Sequence, residues 1–505
     1  MLLAAAALAD GDPRARFKEA YRKDTGAEQR RAAILELAAA DVPEAAAILF
    51  DLWPGLERDA AKLRSRLFVL RETMRELRAK LRDPRLDDDR KRTRLLEEIQ
   101  ELNGEDLGVN AQLAAIEIEQ DGILEGIGLM KSPEVVAWLA STGLREASSP
   151  LLVRAAARRV AASGAAGVGT LLQALERVRR SEDLIPLLQA LGERGEAIGD
   201  GVGAVLAHLS HKDWAVRVAA AYALARAARP EGVGPLVRAL GQEKAESRAR
   251  DEIARCLTLL TGQKLGNDPE HWAAWWRANE AKVLEGTVEL GKGRETASAK
   301  GDQGHFYGIP QVGRRILYVV DVSGSMEVSM TNPKWVDGRA VAARDDETSR
   351  FDAAVKELLR ATRQLRRDAT YAVIFYASHA SPLHDDLVAA TPENHAKLEQ
   401  MILREGPGGS TNIYEAMDLA LRMANVHPDQ KKGAATADSI YLLSDGSPTD
   451  PEGKTEDPER TLKAVAAWNG EQRVAIFTIG IGREHNAAFL RRLAEENGGA
   501  YFAVK

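Results

Sequence analysis

Three short stretches hold the side chains best suited to chemistry. They are Asp321-Val322-Ser323-Gly324-Ser325-Met326, Gly408-Gly409-Ser410-Thr411-Asn412 and Ser444-Asp445-Gly446. All three are rich in short oxygen-bearing side chains, and none contains histidine or cysteine. Such donors suit a hard octahedral cation rather than a soft or redox metal. Asp321 and Asp445 are the carboxylates in the set. An ion held there keeps residual positive charge and open positions, and so wants an anionic oxygen from outside.

The surrounding sequence explains how the stretches could meet. Ile316–Val320 is a continuous apolar run, as expected of a central parallel strand buried on both faces. Similar runs recur at Tyr371–Tyr376, Ser439–Leu443 and Val474–Ile479. Amphipathic helices are expected between them, over Arg350–Leu365, Asn394–Leu403, Ile413–Ala424, Arg460–Trp468 and His485–Glu496. This alternation predicts a doubly wound α/β domain, whose ligands bind beyond the carboxyl ends of the strands. The first and third stretches directly follow predicted strands, and the second opens a predicted helix.

These residues resemble the metal-ion-dependent adhesion site of a von Willebrand factor A domain. The D-x-S-x-S stretch matches Asp321, Ser323 and Ser325, followed in the family's order by Thr411 and Asp445. The resemblance covers residues 313–505 and implies a Rossmann-like α/β fold holding one Mg²⁺, or Mn²⁺ or Ca²⁺. It also implies that the serines and threonine contact the metal directly, with the aspartates direct or through water. One departure is the segment from Glu327 to Glu347, which intervenes before Arg350-Phe351-Asp352. It carries Met330, Trp335 and Arg344-Asp345-Asp346-Glu347, and is expected to emerge at the metal face. A second cluster, His384-Asp385-Asp386, reads better as a solvated turn.

The first 284 residues read as an all-α scaffold. Residues 14–53 suggest two helices broken at Asp41-Val42-Pro43. From Leu56 the apolar positions Ala60, Leu63, Leu67, Leu70, Met74, Leu77 and Leu81 follow a heptad seam. Asp83-Pro84 stops it, and a second seam returns through Leu95, Ile99, Leu102, Val109, Leu113 and Ile116. Residues 54–120 are therefore expected to form an antiparallel coiled-coil hairpin, about 40 Å long at 1.5 Å per residue. It packs on its own domain or serves as a dimerisation or partner-docking arm.

Residues 121–284 carry loosely repeating helix pairs, seen at Pro133–Leu139, Ile185–Leu191 and Gly232–Leu240. They resemble HEAT repeats, most typically at Asp213-Trp214-Ala215-Val216-Arg217, which implies a solenoid with a binding surface. Asp268–Trp276 reads as an aromatic cap on the last repeat, and Cys256 as a small core residue. Residues 285–312 read as a linker. As a whole, the chain resembles bacterial proteins that join HEAT-like repeats to a von Willebrand A domain.

Composition narrows the functions. The 505 residues include one cysteine, which excludes a disulfide framework and a Cys-rich metal site. Net charge is −6, and residues 1–300 hold 45 basic against 46 acidic side chains. That balance disfavours nucleic acid as a partner. It counts against an RNA-binding scaffold, the alternative implied by a resemblance to the Ro autoantigen architecture. No phosphate-binding G-x-x-x-x-G-K-[ST] occurs, nor a nucleophile–base motif. With no catalytic motif, the von Willebrand A resemblance implies a function that is not enzymatic but adhesive: a metal-dependent module capturing a carboxylate of a protein partner. A metal-binding subunit acting with a separate ATPase is a further alternative. No apolar run is long enough to span a membrane. Leu2–Ala9, with Ala7-Leu8-Ala9 before Asp10, looks like the stump of an export signal spanning residues 1–12, although a basic flank is missing.

Overall fold

The computed structural model of the chain describes residues 13–22, 24–81, 86, 88–244, 247–291, 305–331, 335–336, 339–344, 347–430, 435–470, 474–482 and 485–504. The signal-like Leu2–Ala9 run, the Asp83-Pro84 stop, residues 292–304 of the expected linker, and Asp345-Asp346 lie outside these. The chain divides into two compact units, Met1–Ala204 and Val205–Lys505.

In the first unit, helices Pro13–Ala20 and Ala27–Ala39 precede two long helices, α1 (Pro43–Leu81) and α2 (Asp89–Leu129). Residues 14–53 thus form two short helices plus the opening turns of α1, where two helices were expected. Gly26 ends the gap between the short ones, its N–H donating to Gln29 Oε1 at 3.2 Å. The sequence also suggested a junction at residue 53. Instead α1 runs through Pro54, because Leu49, Phe50 and Trp53 are buried and their packing compensates the lost backbone bond. Asp88 caps α2 by accepting from the N–H groups of Arg90 and Lys91.

The seams meet as their spacing predicts: Ala60, Leu67, Leu70, Val109 and Leu113 form one buried cluster, flanked by Leu63, Leu102 and Ile116. Pairs Glu57–Gln120, Arg71–Asp106 and Arg78–Asn103 show that α1 and α2 run antiparallel. Arg71 Nε lies 2.9 Å from Asp106 Oδ1, with both side chains buried. Removing one partner strands a buried charge, whereas replacing both does not. Asp106→Leu should therefore cost about 3–5 kcal/mol in chemical denaturation, and Arg71→Met added to it should restore most of the loss.

The rest of this unit is built of shorter helices, including Pro133–Trp138, Pro150–Ala161, Ala165–Arg177 and Ser181–Arg194, packed on their neighbours. Ser132 and Ser149 cap two of these and are followed by proline at the first helical position.

The second unit opens with helices Trp214–Ala227 and Pro230–Gln242, then α3 (Arg248–Thr261) and α4 (Pro269–Leu284). Cys256 is buried on α3 beside Ile253, Leu257 and Leu260. Trp272 of α4 is buried, donating its indole N–H to Gly266 O at 2.7 Å, and Trp276 lies against Gly234. Arg255 of α3 reaches the α/β region, its guanidinium donating to Gly498 O at 2.9 Å. Residues 305–312, expected within the linker, also belong to the fold. His305–Phe306 pairs with Ile309–Pro310, and Phe306 is buried edge-on to Tyr318 with ring centroids 5.2 Å apart. Its apolar residues complete an aromatic cluster, which the Gly- and Lys-rich composition preceding them conceals.

The α/β region is built on one sheet. Its strands are β1 (Arg315–Asp321), β2 (Thr370–Tyr376), β3 (Ala380–Pro382), β4 (Val388–Ala389), β5 (Ser439–Ser444), β6 (Ala475–Ile481) and β7 (Tyr501–Val504). Their order is β7-β6-β5-β1-β2-β3, with β4 also pairing with β2. The ladders joining β7, β6, β5, β1 and β2 are parallel, and β3 and β4 run antiparallel to β2. Asp438 Oδ2 accepts from the N–H groups of Arg314 and Arg315, pinning the starts of β1 and β5 together. Helices α5 (Arg350–Arg363) and Pro392–Ile402 cover one face. Helices α6 (Ile413–Met423), Pro458–Trp468 and Ala487–Glu495 cover the other. The chain leaves β1 toward β2 on one side and returns to β5 on the other, so a crevice opens at their carboxyl ends.

Candidate functional site

Asp321 ends β1 and Asp445 directly follows β5, its neighbour in the sheet. Register thus brings together two carboxylates separated by 124 positions. Asp321 Oδ1 accepts the N–H of Ser323 at 2.9 Å, a local turn that starts the 3₁₀ turn Gly324–Glu327. Within it Ser323 Oγ lies 3.1 Å from Ser325 Oγ, and Ser325 Oγ donates to Asp445 Oδ1 at 2.7 Å.

The second loop is stitched to the first by two backbone bonds. Gly324 N–H donates to Gly409 O at 3.0 Å, and Gly408 N–H donates to Val322 O at 2.8 Å. Gly409 must be glycine: its φ is +80°, and a Cβ would sit 2.7 Å from Ser378 Oγ. Thr411 is clamped to the third loop, donating its N–H to Thr449 Oγ1 at 2.8 Å and accepting from Thr449 N–H at 2.9 Å. All five residues singled out by sequence therefore lie at the same end of the sheet, at strand ends or on loops tied to them.

Several supporting residues were given no role from sequence, although Ser444 and Asn412 lie in the stretches singled out there. Ser444 Oγ donates to Asp321 Oδ2 at 2.9 Å, and Tyr376 OH donates to it at 3.3 Å. Asn412 caps α6, accepting from Glu415 N–H, while its amide donates to Ser378 O and Glu415 Oε2. Glu415 is buried, accepts from Ala380 N–H, and lies 3.3 Å from His379 Nδ1. Arg350, first residue of α5, is 1% exposed and places Nη1 2.8 Å from Asp445 Oδ2, whose side chain is 0% exposed. The order Asn-x-x-Glu at a helix start signals the Asn412–Glu415 pair. Nothing local signals Arg350.

The described residues of the inserted segment after Ser325 pair in antiparallel fashion. Val328 bridges Ala342, Ser329 bridges Ser349, and Trp335–Val336 pairs with Arg339–Ala340. Its base returns the chain to α5, with Arg350 N–H donating to Val328 O at 2.9 Å. The His384 ring packs edge-on to Tyr371, while Asp385 and Asp386 are exposed, as a solvated turn requires.

Electrostatically the site is strained. Burial, then the nearby Asp445 charge, holds the Asp321 carboxyl well above the ordinary carboxylate range, against the hydrogen bonds it accepts. Burial likewise raises the Tyr376 phenol. Buried carboxylates with hydroxyls, and no nitrogen or sulfur ligand, fit a hard divalent cation that relieves this repulsion. Among the described residues, no group of three or more His, Cys, Asp or Glu side chains is placed to hold a metal. Any ion held here must therefore use hydroxyl oxygens as well.

Residues 316–505 match the model of the von Willebrand factor type A domain. Inter-alpha-trypsin inhibitor heavy chain H2 of Mus musculus is 29% identical over 201 residues, covering 39% of this chain and 18% of that protein. The Homo sapiens H2 chain is 27% identical over the same length, with the same coverage. The match thus spans about a fifth of the length of these curated relatives. A solved structure, von Willebrand factor type A from Catenulispora acidiphila, is 20% identical with a TM-score of 0.30, covering 38% of each chain. No helix of the described residues is long and apolar enough to cross a membrane. After a helix-rich N-terminal region, residues 316–505 of this chain are a von Willebrand factor type A domain.

Proposed function

We propose that the chain is a metal-dependent protein-binding module without enzymatic activity of its own. One Mg²⁺, or Mn²⁺ or Ca²⁺ in its place, binds Ser323, Ser325 and Thr411 with Asp321 and Asp445, and a partner's carboxylate completes its coordination. The observation that carries this reading is the joining of Asp321, Ser323, Ser325 and Asp445 in one bonded cluster at the switch point of the sheet. Von Willebrand A domains commonly bind a divalent metal at this position, and the oxygen-only donors suit one. The N-terminal helices act as a HEAT-like scaffold, and the α1–α2 hairpin is the arm through which two copies dimerise.

No base is positioned for hydrolysis by these contacts, since the nearby His379 is engaged with Glu415. The RNA reading gains little, because Arg180, in the basic stretch Arg177–Arg180, is paired with Glu182 and Asp183. Calorimetric titration of Mg²⁺ and Mn²⁺ into the full chain should show one saturable site, absent in Asp321→Ala. Absence of binding to the unaltered chain would overturn the proposal and shift the function to the helical region.

A further inference from the structure

We propose that Arg350 sets the charge balance of this site, weakening its hold on the cation and thereby keeping the bound cation attractive to an external carboxylate. The inference rests on the metal-binding reading above and concerns how that site selects its partner's chemistry.

Arg350 occupies an unusual place for a cation. It is the first residue of α5, where the helix macrodipole favours negative charge, and it is almost wholly buried. A buried guanidinium requires a partner, and here Asp445 Oδ2 lies 2.8 Å from Nη1. The fold makes room for it at Gly482. That residue has φ +80°, and a Cβ there would lie 2.6 Å from Arg350 Cζ. The inserted segment fixes the backbone of Arg350 through Val328 O. Two loops and a helix start thus converge to bury one positive charge against one member of the predicted metal-binding set.

The consequence follows from counting charge. Asp321 and Asp445 alone would cancel the formal charge of a divalent ion, so the residual positive charge expected from the sequence needs a further cation. With Arg350 included, the three side chains sum to −1, and a bound divalent ion leaves the centre at +1. Away from water such a charge strongly attracts an anion. Arg350 also occupies Asp445 Oδ2 while Ser325 occupies Oδ1, which fixes the carboxylate's orientation. It is therefore a positioning and charge-setting residue, with no required contact with the ion.

The test uses the full chain, Mn²⁺ as the metal and acetate as the carboxylate probe. Calorimetry gives Mn²⁺ affinity, and water-proton relaxation of bound Mn²⁺ reports displacement of its water by acetate. Arg350→Gln should bind Mn²⁺ at least tenfold more tightly than the unaltered chain and require at least tenfold more acetate. Arg350→Lys, which keeps the charge, should stay within threefold of the unaltered chain in both. A purely structural role would instead weaken metal binding in both variants.

Folding is checked by circular dichroism with and without Mg²⁺, since the ion should replace the guanidinium as counter-charge to Asp445. Failure of Arg350→Gln to fold even in Mg²⁺ would count against the proposal. So would unchanged or weaker Mn²⁺ binding by the folded variant. If the unaltered chain binds no Mn²⁺, the metal-binding reading itself falls, an outcome distinct from these.

Discussion

Stripped of divalent ions at pH 8, Asp321→Asn protein should melt at a higher temperature than the unaltered chain, even though the substitution destroys the proposed metal site. The sign follows from the environment of the carboxyl. Burial and the charge of Asp445 raise its folded-state pKa above the unfolded value. An acid shifted upward binds its proton more tightly when folded, so ionisation costs stability as pH rises above the unfolded value of about 4. With the folded value pushed up to about 7, the difference of about three pK units, at 1.36 kcal/mol each, corresponds to about 4 kcal/mol.

The advantage of the asparagine should be full at pH 8, shrink as pH falls through the folded pKa, and vanish near pH 4. Asparagine keeps an acceptor for Ser323 N–H, so the local turn survives. Mg²⁺ at 1,000 times its dissociation constant should cancel the advantage, since it then adds about 4.1 kcal/mol to a protein that binds it. Differential scanning fluorimetry across pH, with EDTA or Mg²⁺, checks both halves. A lower melting temperature for Asp321→Asn in EDTA at pH 8 would contradict this account.

The second large effect concerns packing at the opposite end of the sheet. Gly499→Ala should destabilise the protein by about 3 kcal/mol or more, because its Cβ would fall 1.9 Å from Ile476 O and 2.5 Å from Ile476 C. Neither partner can yield. Ile476 belongs to β6, which is hydrogen-bonded to β5 on one side and β7 on the other. Gly499 N–H donates to Ala494 O at 2.9 Å, tying it to the end of the preceding helix. At about 2–4 °C per kcal/mol for a domain of this size, the melting temperature should fall by about 10 °C. Gly406→Ala is the control: nothing lies within 4 Å of its Cβ position and its φ is not positive, so stability should change little.

What could be read beforehand divides along physical lines. β1, β2, β5 and β6 announce themselves as apolar runs because they are buried on both faces, a property written locally in each segment. The loop residues Asp321, Thr411 and Asp445 were legible for the same reason: each follows a strand or opens a helix. The α1–α2 hairpin was legible from its heptads, although Pro54 concealed that α1 begins at Pro43.

Arg350 was not legible. At the start of an amphipathic helix an arginine reads as a solvent-facing cation. Its burial depends on Asp445, 95 positions away, and on the missing side chain at Gly482. Tyr376 likewise lies within an apolar strand pattern, and its hydroxyl is aimed at Asp321 by the register between β1 and β2. Such pairings exist only once distant segments are laid side by side.

The ladder pattern around β1 also has a mechanical meaning. Asp321 terminates a strand bonded in parallel to β2 along its whole length and to β5 from Ile316 to Val320. A pull applied to the loop after β1, along the strand direction, loads these bonds together in shear rather than opening them one after another. At the sheet edge β7 is bonded only to β6, so the same pull applied across its axis could peel it away. The geometry thus ties the loop where the proposed partner would hold on to two neighbouring strands at once.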